Sequence, residues 1–289
     1  MFENKKIQQN RPAIGIDVGG TKISVGLVQQ GKLIKSHTLP TPVNETKEKV
    51  LETIINTVKA LGDSEFSGIG VGIPGLVDTL KGVVFDVHNI PSFTRVALKT
   101  ELESAFHRRA EINNDANCFV LGSKHYGKGK RYNNMVGLTL GTGLGGGIIL
   151  NGRLYEGVGA GAGEFGFLPY KNSILEHYCS GQFFQRQYNI TGKEASQRAL
   201  EGDTDALQMF WQFGTHLGEA IKMIAHVFAP EAVMLGGSIS WSFDLFKESM
   251  WTAISKFPYK HVIDDLVVMP ALGPEIALVG AAFLVLNQN

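Results

Sequence analysis

Two segments of the chain place a glycine turn between short runs of β-forming residues, and they constrain the fold more than any other feature. They are AIGIDVGGTKISVGLV (13–28) and MVGLTLGTGLGGGIIL (135–150). Aliphatic and β-branched runs joined by a short glycine link predict β-hairpins. After each hairpin, helical and strand patterns alternate. This repeated order predicts an α/β protein of two similar lobes with mixed sheets, and small ligands commonly bind in the cleft between such lobes.

The rest of the chain supports this plan. Strands are predicted at 13–18, 22–28, 32–39, 67–73, 110–113, 134–140, 145–150 and 231–235, and helices at 44–61, 95–107, 176–188, 203–228 and from 275. Asn44 is the predicted N-cap of the first helix, because Asn favours that position. A further helix is predicted to open at Asp115, directly after a strand.

Composition excludes several classes of protein. The 289 residues suffice for two domains, the formal net charge is zero, and the sequence pI is about 7.1; a nucleic-acid partner is therefore not expected, since duplex binding calls for a basic patch. Two cysteines do not make a disulfide framework. The N-terminus lacks the apolar core of a secretion signal, so a cytoplasmic location is expected. The uncharged run 132–152 is broken by glycines, and no membrane span is predicted.

The first glycine turn resembles a P-loop with its lysine displaced. Gly15 and Gly20 have the P-loop spacing, but Thr21 stands where lysine belongs and Lys22 follows. Backbone N–H groups in a tight glycine turn can bind phosphate oxygens without a lysine. Asp17 could hold Mg²⁺ through water, because magnesium often uses a single carboxylate beside substrate phosphates. A phosphate-binding hairpin is predicted, with its ligands at Gly19, Gly20, Thr21 and Lys22.

The dinucleotide fingerprint G-x-G-x-x-G carries little weight in this chain. It occurs at residues 70–75, 141–146 and 161–166. The fingerprint is informative only where a strand precedes it and a helix opens on it. Strand-like or proline-containing segments follow each occurrence here, which disfavours a Rossmann dehydrogenase.

The two hairpins are similar to the phosphate motifs of the actin, sugar kinase and heat-shock chaperone ATPase superfamily. Within it, the chain resembles the ROK group (repressors, open reading frames, sugar kinases) from about residue 12 to about residue 286. The matching motifs are GVGIPGLVD (70–78), INNDANCF (112–119), GAGEFGF (161–167) and LGGSIS (235–240). The resemblance implies two ribonuclease H-like lobes, residues 1–118 with 275–289 and residues 119–274. It further implies ATP and Mg²⁺ as cofactors, a hexose or N-acetylhexosamine phosphorylated at its sixth oxygen, and a homodimer.

The resemblance also assigns roles to individual residues. Asp115 would take the proton from the attacking sugar hydroxyl, a role that phosphoryl transfer requires of one well-placed carboxylate. The remaining assignments are sugar binding by Asn89, Asn114, Glu164 and Glu176, phosphate binding by Gly141, Thr142 and Gly143, and adenosine binding by Gly236 and Gly237.

Simpler roles stay open for several of these residues. Asp115 could cap its helix, Asn89 could be a turn residue before Ile90-Pro91, and Glu176 could be a first-turn acid that favours the helix dipole. Gly236 and Gly237 could form an ordinary turn between a strand and a helix.

The chain departs from the family pattern at one segment. Many ROK proteins have a histidine after G-E-x-G and a following cysteine-rich motif that binds zinc. Here Phe167 replaces the histidine, and only His177 and Cys179 follow in the next residues. Tetrahedral zinc requires four ligands, so no zinc site is expected. The apolar ring of Phe167 could favour an N-acetyl or glycosidic substituent on the sugar.

Two alternatives belong to other functional classes. A sugar-responsive transcriptional regulator would carry a DNA-reading helix pair, for which the 16 residues before Asp17 are too short. A sugar-independent ATPase of the actin type would have no cause to carry Asn89, Glu164 and Glu176 as sugar ligands.

Overall fold

The computed structural model describes residues 11–62, 65–87, 89–271, 273 and 275–286. The chain forms two compact units, the first comprising residues 1–130, 154–162 and 272–289 and the second residues 131–153 and 163–271. The first unit thus includes 119–130, which the sequence assigned to the second lobe. The division of the chain into two functional lobes stays a prediction.

The first unit is built on a mixed five-stranded sheet. Its strands are β1 (Ala13–Val18), β2 (Lys22–Gln29), β3 (Lys32–Pro40), β4 (Gly68–Ile73) and β8 (Arg109–Asn114), and β5 (Leu76–Asp78), β6 (Val83–Phe85) and β7 (Arg95–Val96) form a small separate sheet. The order in the large sheet is β3-β2-β1-β4-β8. The strands β1, β2 and β3 are antiparallel neighbours, whereas β4 runs parallel to both β1 and β8. The predicted hairpin and mixed sheet are confirmed.

Helices cover both faces of this sheet. They are α1 (Lys47–Lys59), α2 (Leu98–Phe106), α3 (Asp115–His125) and α10 (Ile276–Leu286). The prediction that Asn44 caps α1 is wrong: the hydroxyl of Thr46 accepts the N–H of Lys49 at 3.3 Å. Thr46 lies three residues before Lys49, the spacing at which a cap side chain reaches a free N–H of the first turn.

Successive residues of β1 point to opposite faces of the sheet, and this alternation determines which helices pack on each face. Ile14 and Ile16 lie in an apolar core with residues of α1 and α2. Gly15 points to the other face and is paired with Gly70 of β4. A Cβ on Gly15 would lie 2.0 Å from the carbonyl oxygen of Leu278 in α10. The two strands therefore present a smooth glycine surface on which α10 lies in close contact.

The same helix packs closely against α3. A Cβ on Gly280 would lie 1.8 Å from the carbonyl oxygen of Cys118, and one on Gly122 would lie 2.0 Å from that of Ile276. Much of the glycine excess in this unit thus serves helix packing. Because α3 begins at Asp115, this contact also fixes the helix that carries the predicted base.

Replacing Gly280 with alanine is expected to destabilise the protein by about 1–3 kcal/mol, because the new methyl group would overlap the backbone of α3. Thermal unfolding measures the effect. Gly192→Ala is the matched control, since a Cβ there meets only side-chain atoms at 3.4 Å or more. Equal melting temperatures for Gly280→Ala and the wild type would contradict the close contact.

The second unit repeats the plan. Its large sheet contains β9 (Met135–Leu140), β10 (Leu144–Leu150), β14 (Ala232–Gly236) and β15 (Val267–Pro270), together with β11 (Arg153–Leu154), in which the boundary between the units falls. β12 (Pro169–Tyr170) pairs with β13 (Ser173–Ile174). The large sheet has the order β11-β10-β9-β14-β15. β9 and β10 form an antiparallel hairpin, and β14 runs parallel to β9. The uncharged run 132–152 is thus largely a hairpin, as predicted.

Six helices accompany this sheet in the described residues of the second unit: α4 (Glu176–Cys179), α5 (Gly181–Tyr188), α6 (Gly192–Leu200), α7 (Thr204–Phe228), α8 (Phe243–Ile254) and α9 (Lys260–Ile263). Phe213 of α7 packs against Phe184 of α5 and Phe246 of α8, with ring centroids 5.5 and 5.3 Å apart. Across the part of the chain that the structure describes, no helix is both long and apolar enough to span a membrane.

Candidate active site

The turn of the first hairpin is held by hydrogen bonds to its carbonyl groups. The N–H of Gly19 donates to the carbonyl of Lys22 at 2.9 Å. Thr41, which follows β3, donates its hydroxyl to the carbonyl of Gly19 at 2.6 Å and its N–H to that of Thr21 at 3.1 Å. Thr21 and Lys22 are exposed at this turn. Thr41 was not found from the sequence, because it is 22 residues from its partner Gly19.

Asn89, a predicted sugar ligand, lies against this turn. A Cβ on Gly20 would lie 2.5 Å from the Cβ of Asn89. Glycine at position 20 therefore lets the segment that carries Asn89 come into contact with the predicted phosphate turn. The side chain of Asn89 is nevertheless exposed. The structure thus brings together two parts of the predicted site that are far apart in the sequence.

Asp17 and Asp115 form a pair of interacting carboxylates in the first unit. Burial, with a further contribution from the negative charge of Asp115, raises the pKa of Asp17 to about 7, against an opposing effect of Lys22. Burial also raises the pKa of Asp115, although the backbone N–H of Ala116 lowers it in part. Part of each side chain is still exposed, so the pair is open to a ligand. Two such groups favour either a bound proton or a cation.

The start of α3 distinguishes the roles of Asn114 and Asp115. The side-chain oxygen of Asn114 accepts the N–H groups of Ala116 and Asn117 at 2.9 and 3.4 Å. Asn114 is therefore the N-cap, and the simpler role that the sequence left open for Asp115 belongs to its neighbour. The amide nitrogen of Asn114 donates to the carbonyl of Gly75 at 3.3 Å.

Two residues beside this helix start were missed in the sequence analysis. The buried Asn113 accepts the N–H of Asn114 at 2.8 Å and the side-chain amide of Asn117 at 2.9 Å. Its own amide nitrogen donates to the carboxylate of Glu156, 43 residues away. No short-range pattern links Glu156 to this helix, because the contact arises only from the tertiary fold.

The turn of the second hairpin, Gly141 to Gly143, is fastened to the start of α5. The N–H of Gly181 donates to the carbonyl of Gly141 at 2.7 Å, and the hydroxyl of Ser180 donates to that of Thr142 at 3.3 Å. The predicted phosphate residues Gly141, Thr142 and Gly143 therefore occupy a fixed turn. Its carbonyls are bonded to protein, as in the first hairpin.

Glu176 belongs to the immediate surroundings of this turn. Its Oε2 accepts the N–H of Leu144 at 3.0 Å, and its Oε1 accepts the amide of Gln182 at 2.7 Å. A Cβ on Gly143 would lie 2.5 Å from Oε2. Glycine at position 143 thus admits the carboxylate. Glu176 is the first residue of α4, but its carboxylate has a more specific role than the dipole effect.

Gly141 differs from the other glycines of the site. A Cβ on Gly141 would have no atom within 4 Å, and Gly141 does not have a positive φ. Neither backbone conformation nor packing within the protein explains the glycine. An open cradle next to a fixed turn is the arrangement that lets a ligand approach the backbone.

Gly236 and Gly237 lie at the end of β14. Gly237 has φ of 79°, and a Cβ on it would lie 2.3 Å from the carbonyl oxygen of Leu140 at the end of β9. Local structure therefore requires glycine at position 237. Adenosine binding by this pair stays a prediction, since the turn alone accounts for the residue.

Glu164 and Phe167 lie at the two ends of one helical turn. The N–H of Phe167 donates to the carbonyl of Glu164 at 3.2 Å. Phe165 is buried between them, whereas 56% of Phe167 is exposed. An aromatic ring exposed three residues from a predicted sugar ligand is available for contact with a ligand.

His177 and Cys179, the two potential zinc ligands after Phe167, follow the short hairpin of β12 and β13. The hydroxyl of Ser173 in β13 is hydrogen-bonded to Nδ1 of His177. Cys179 is buried, and burial raises the pKa of its thiol. Among the residues that the structure describes, no group of three or more His, Cys, Asp and Glu side chains could hold a metal ion.

Comparisons with known proteins identify relatives along almost the whole chain. The model of the ROK family matches residues 13–288. The chain is 34% identical to a glucokinase of Thermotoga maritima over 259 residues, 78% of this chain and 82% of the relative. It is 32% identical to an N-acetyl-D-glucosamine kinase of Vibrio atlanticus over 307 residues, 93% of this chain and 98% of the relative.

A solved structure with ligands shares the fold. It is a ROK family glucokinase from Streptomyces griseus in complex with glucose and AMPPNP. Its TM-score is 0.84 and its sequence identity 28%, with 94% of this chain and 98% of that chain covered.

Proposed function

The chain belongs to the ROK family, and from this premise we propose that it is an ATP-dependent kinase of a hexose or N-acetylhexosamine. The observation that carries the proposal is the carboxylate of Asp115. It lies at the start of a helix fixed by close backbone contacts, is partly open to a ligand, and has a raised pKa. Relatives named glucokinase and N-acetyl-D-glucosamine kinase support the same reaction.

In the proposed reaction, a sugar hydroxyl attacks the γ-phosphorus of ATP, and ADP leaves. Asp115 accepts the hydroxyl proton as the new phosphate ester forms. A raised pKa favours this step, because a carboxylate of higher pKa is the stronger base. The asparagine cap holds the backbone around Asp115, so the carboxylate has little freedom to leave its position.

The two glycine turns would bind the phosphates through the first hairpin at Gly19 to Thr21 and the second at Gly141 to Gly143. Hydrogen bonds from Thr41, Gly181 and Ser180 hold turn carbonyls. Fixed turns pre-organise their backbone dipoles, which is the main protein contribution to phosphoryl transfer.

Asp17 fits a magnesium ion. Burial, and after it the negative charge of Asp115, raises the pKa of Asp17 to about 7, and the positive charge of a divalent cation would offset both effects. When bound, Mg²⁺ neutralises charge on the ATP phosphates. Asp17 would hold the ion through water, and its negative charge would keep the ion near the first turn.

The sugar ligands proposed are Asn89, Asn114, Glu164 and Glu176. The carboxylate of Glu176 holds the N–H of Leu144 and has further lone pairs for sugar hydroxyls. The oxygen of Asn114 already accepts two N–H groups, but its side-chain amide has a second hydrogen to donate to the sugar. These residues would therefore orient the sugar and stiffen the site together. A homodimer in the cytoplasm stays part of the proposal on the family resemblance.

ADP release with a panel of sugars tests the function directly. Glucose, N-acetylglucosamine, N-acetylmannosamine and methyl β-glucoside are each incubated with ATP and Mg²⁺, and NMR locates the phosphate on the product. We expect ADP release to depend on a sugar and the phosphate to be on the sixth oxygen. ATP hydrolysis of equal rate with and without every sugar would contradict a sugar kinase and favour the actin-type ATPase.

Replacing Phe167 with histidine is expected to shift the preference toward glucose. If the exposed ring contacts an N-acetyl group, its loss should lower the ratio of kcat/KM for N-acetylglucosamine over glucose by about 10-fold, as one apolar contact typically does. Tyr259, an exposed aromatic residue outside the proposed site, gives the control Tyr259→His. An unchanged ratio in Phe167→His would remove Phe167 from sugar selection.

A further inference from the structure

A partly buried tyrosine–histidine pair joins the β12–β13 hairpin to α7, the longest helix of the second unit. The hydroxyl of Tyr170 in β12 lies 3.0 Å from Nδ1 of His216 in α7. His216 is only 8% exposed. The hairpin has two residues in each strand and is too short to be stable alone. Its position therefore depends on such contacts with α7.

The surroundings of the pair keep both groups uncharged at neutral pH. Burial raises the pKa of Tyr170 above its ordinary value. Burial, and after it the charge of Lys171, lowers the pKa of His216 to about 4, with Glu219 opposing. At neutral pH both groups are therefore uncharged, and the hydroxyl of Tyr170 and Nδ1 of His216 share one hydrogen bond. His216 is the buried member of the pair, so removing the tyrosine hydroxyl leaves its Nδ1 without this hydrogen bond.

Tyr178 transmits this contact to α4. Its ring centroid lies 5.2 Å from that of Tyr170 and 5.0 Å from that of His216, in edge-to-face geometry. Tyr178 lies two residues after Glu176 in a helix of four residues. The N–H of Leu175, just before that helix, donates to the carbonyl of Leu168, just before the hairpin, at 2.9 Å. A single helical turn is not stable by itself, so these contacts hold α4 in place.

We propose that Tyr170 and His216 are positioning residues for Glu176. By holding α4 against α7, they keep the Glu176 carboxylate on the N–H of Leu144, and this bond in turn fixes the phosphate turn at Gly141 to Gly143. The effect on catalysis rests on the proposed kinase function, whereas the effect on Leu144 does not. The hairpin thus supports Glu176, a predicted sugar ligand that is hydrogen-bonded to the residue after the phosphate turn.

Amide hydrogen exchange at Leu144 tests the proposal in the intact protein. Tyr170→Phe keeps the ring and removes the hydroxyl, and we expect exchange of the Leu144 amide to rise about 3- to 10-fold, the effect of one buried hydrogen bond. Sugar KM should rise by a similar factor with a smaller change in kcat. Tyr188→Phe is the matched control, because its hydroxyl also bonds α7, donating to Gln212 at 2.9 Å. We expect no change at Leu144 in that variant.

Combining Tyr170→Phe with a second substitution tests whether Tyr170 acts on Leu144 through Glu176. In Glu176→Ala the link to Leu144 is absent, so adding Tyr170→Phe should cause no further exchange at Leu144. If Glu176→Ala does not fold, the double variant Tyr170→Phe/His216→Phe is measured instead.

Exchange at Leu144 in the double variant should be slower than in Tyr170→Phe alone, because no buried polar group is left unsatisfied and the rings still pack.

Two results would overturn the positioning role. One is an unchanged Leu144 amide in Tyr170→Phe, and the other is an increase of the same size in the Glu176→Ala background. A wild-type protein that phosphorylates no sugar but shows the expected exchange pattern would instead refute the proposed function and leave the positioning role intact.

Discussion

Asp115→Asn is expected to lower kcat by about 10²- to 10⁴-fold, the usual cost of removing a general base from a reaction. Asparagine keeps the shape and the helix start but cannot accept the hydroxyl proton. Sugar binding should persist, since Asn114 keeps its bonds to Ala116 and Asn117. Steady-state ADP release and calorimetric titration of the sugar measure the two effects separately. Turnover within a few-fold of the wild type would refute Asp115 as the base.

The same substitution is expected to raise thermal stability. Because burial raises the pKa of Asp115 in the folded protein, the folded state binds more protons than the unfolded state as pH rises above the ordinary aspartate value. Stability therefore falls with rising pH through that window, because keeping the ionised carboxylate away from water has a free-energy cost. Asparagine removes that cost. A loss of turnover together with a higher melting temperature cannot be attributed to misfolding.

The control for this variant is Asp205→Asn. Asp205 is also an acid in the first turn of a helix, but it is exposed and belongs to α7. Its replacement should change stability by only a few tenths of a kcal/mol, the scale of a helix-dipole effect, and leave kcat unchanged. In the wild type, kcat/KM should decline as pH falls through the raised pKa of Asp115, and Asp205→Asn should keep that profile.

The sequence predicted those parts of the fold and site that depend on neighbouring residues. Both glycine hairpins, the mixed sheets and the helix start at Asp115 are local patterns, and the structure confirms them. The predicted N-cap of α1 was wrong by two residues. Asn44 and Thr46 are both of residue types that favour this position, and only the folded backbone distinguishes between them.

The contacts that hold the site could not be predicted in this way. Thr41 reaches Gly19 across 22 residues, and Glu156 reaches Asn113 across 43. The reason for each glycine was equally hard to predict from the sequence. Gly15 allows a close helix contact, Gly237 adopts a positive φ, and Gly141 does neither. Since a glycine has no side chain, only the atoms around it distinguish these roles.

Gly141→Ala is the variant that tests this distinction, and we expect it to lower kcat/KM for ATP by about 10²-fold, the effect of displacing a reacting group by about 1 Å. The methyl group meets no protein atom within 4 Å, so the folded state should accept it without strain. It would instead fill the space through which a phosphate reaches the turn. Binding of a non-hydrolysable ATP analogue, measured by calorimetry, should weaken accordingly.

Thermal unfolding in the absence of ligands separates this effect from damage to the fold. We expect the melting temperature of Gly141→Ala to equal or exceed that of the wild type, because alanine reduces the entropy of the unfolded chain. Gly192→Ala is the control: its Cβ makes ordinary contacts at 3.4 Å or more at the first position of α6, and its nucleotide binding should be that of the wild type. Undiminished analogue affinity in Gly141→Ala would show that phosphate does not approach this backbone, and the role of the second hairpin in nucleotide binding would have to be abandoned.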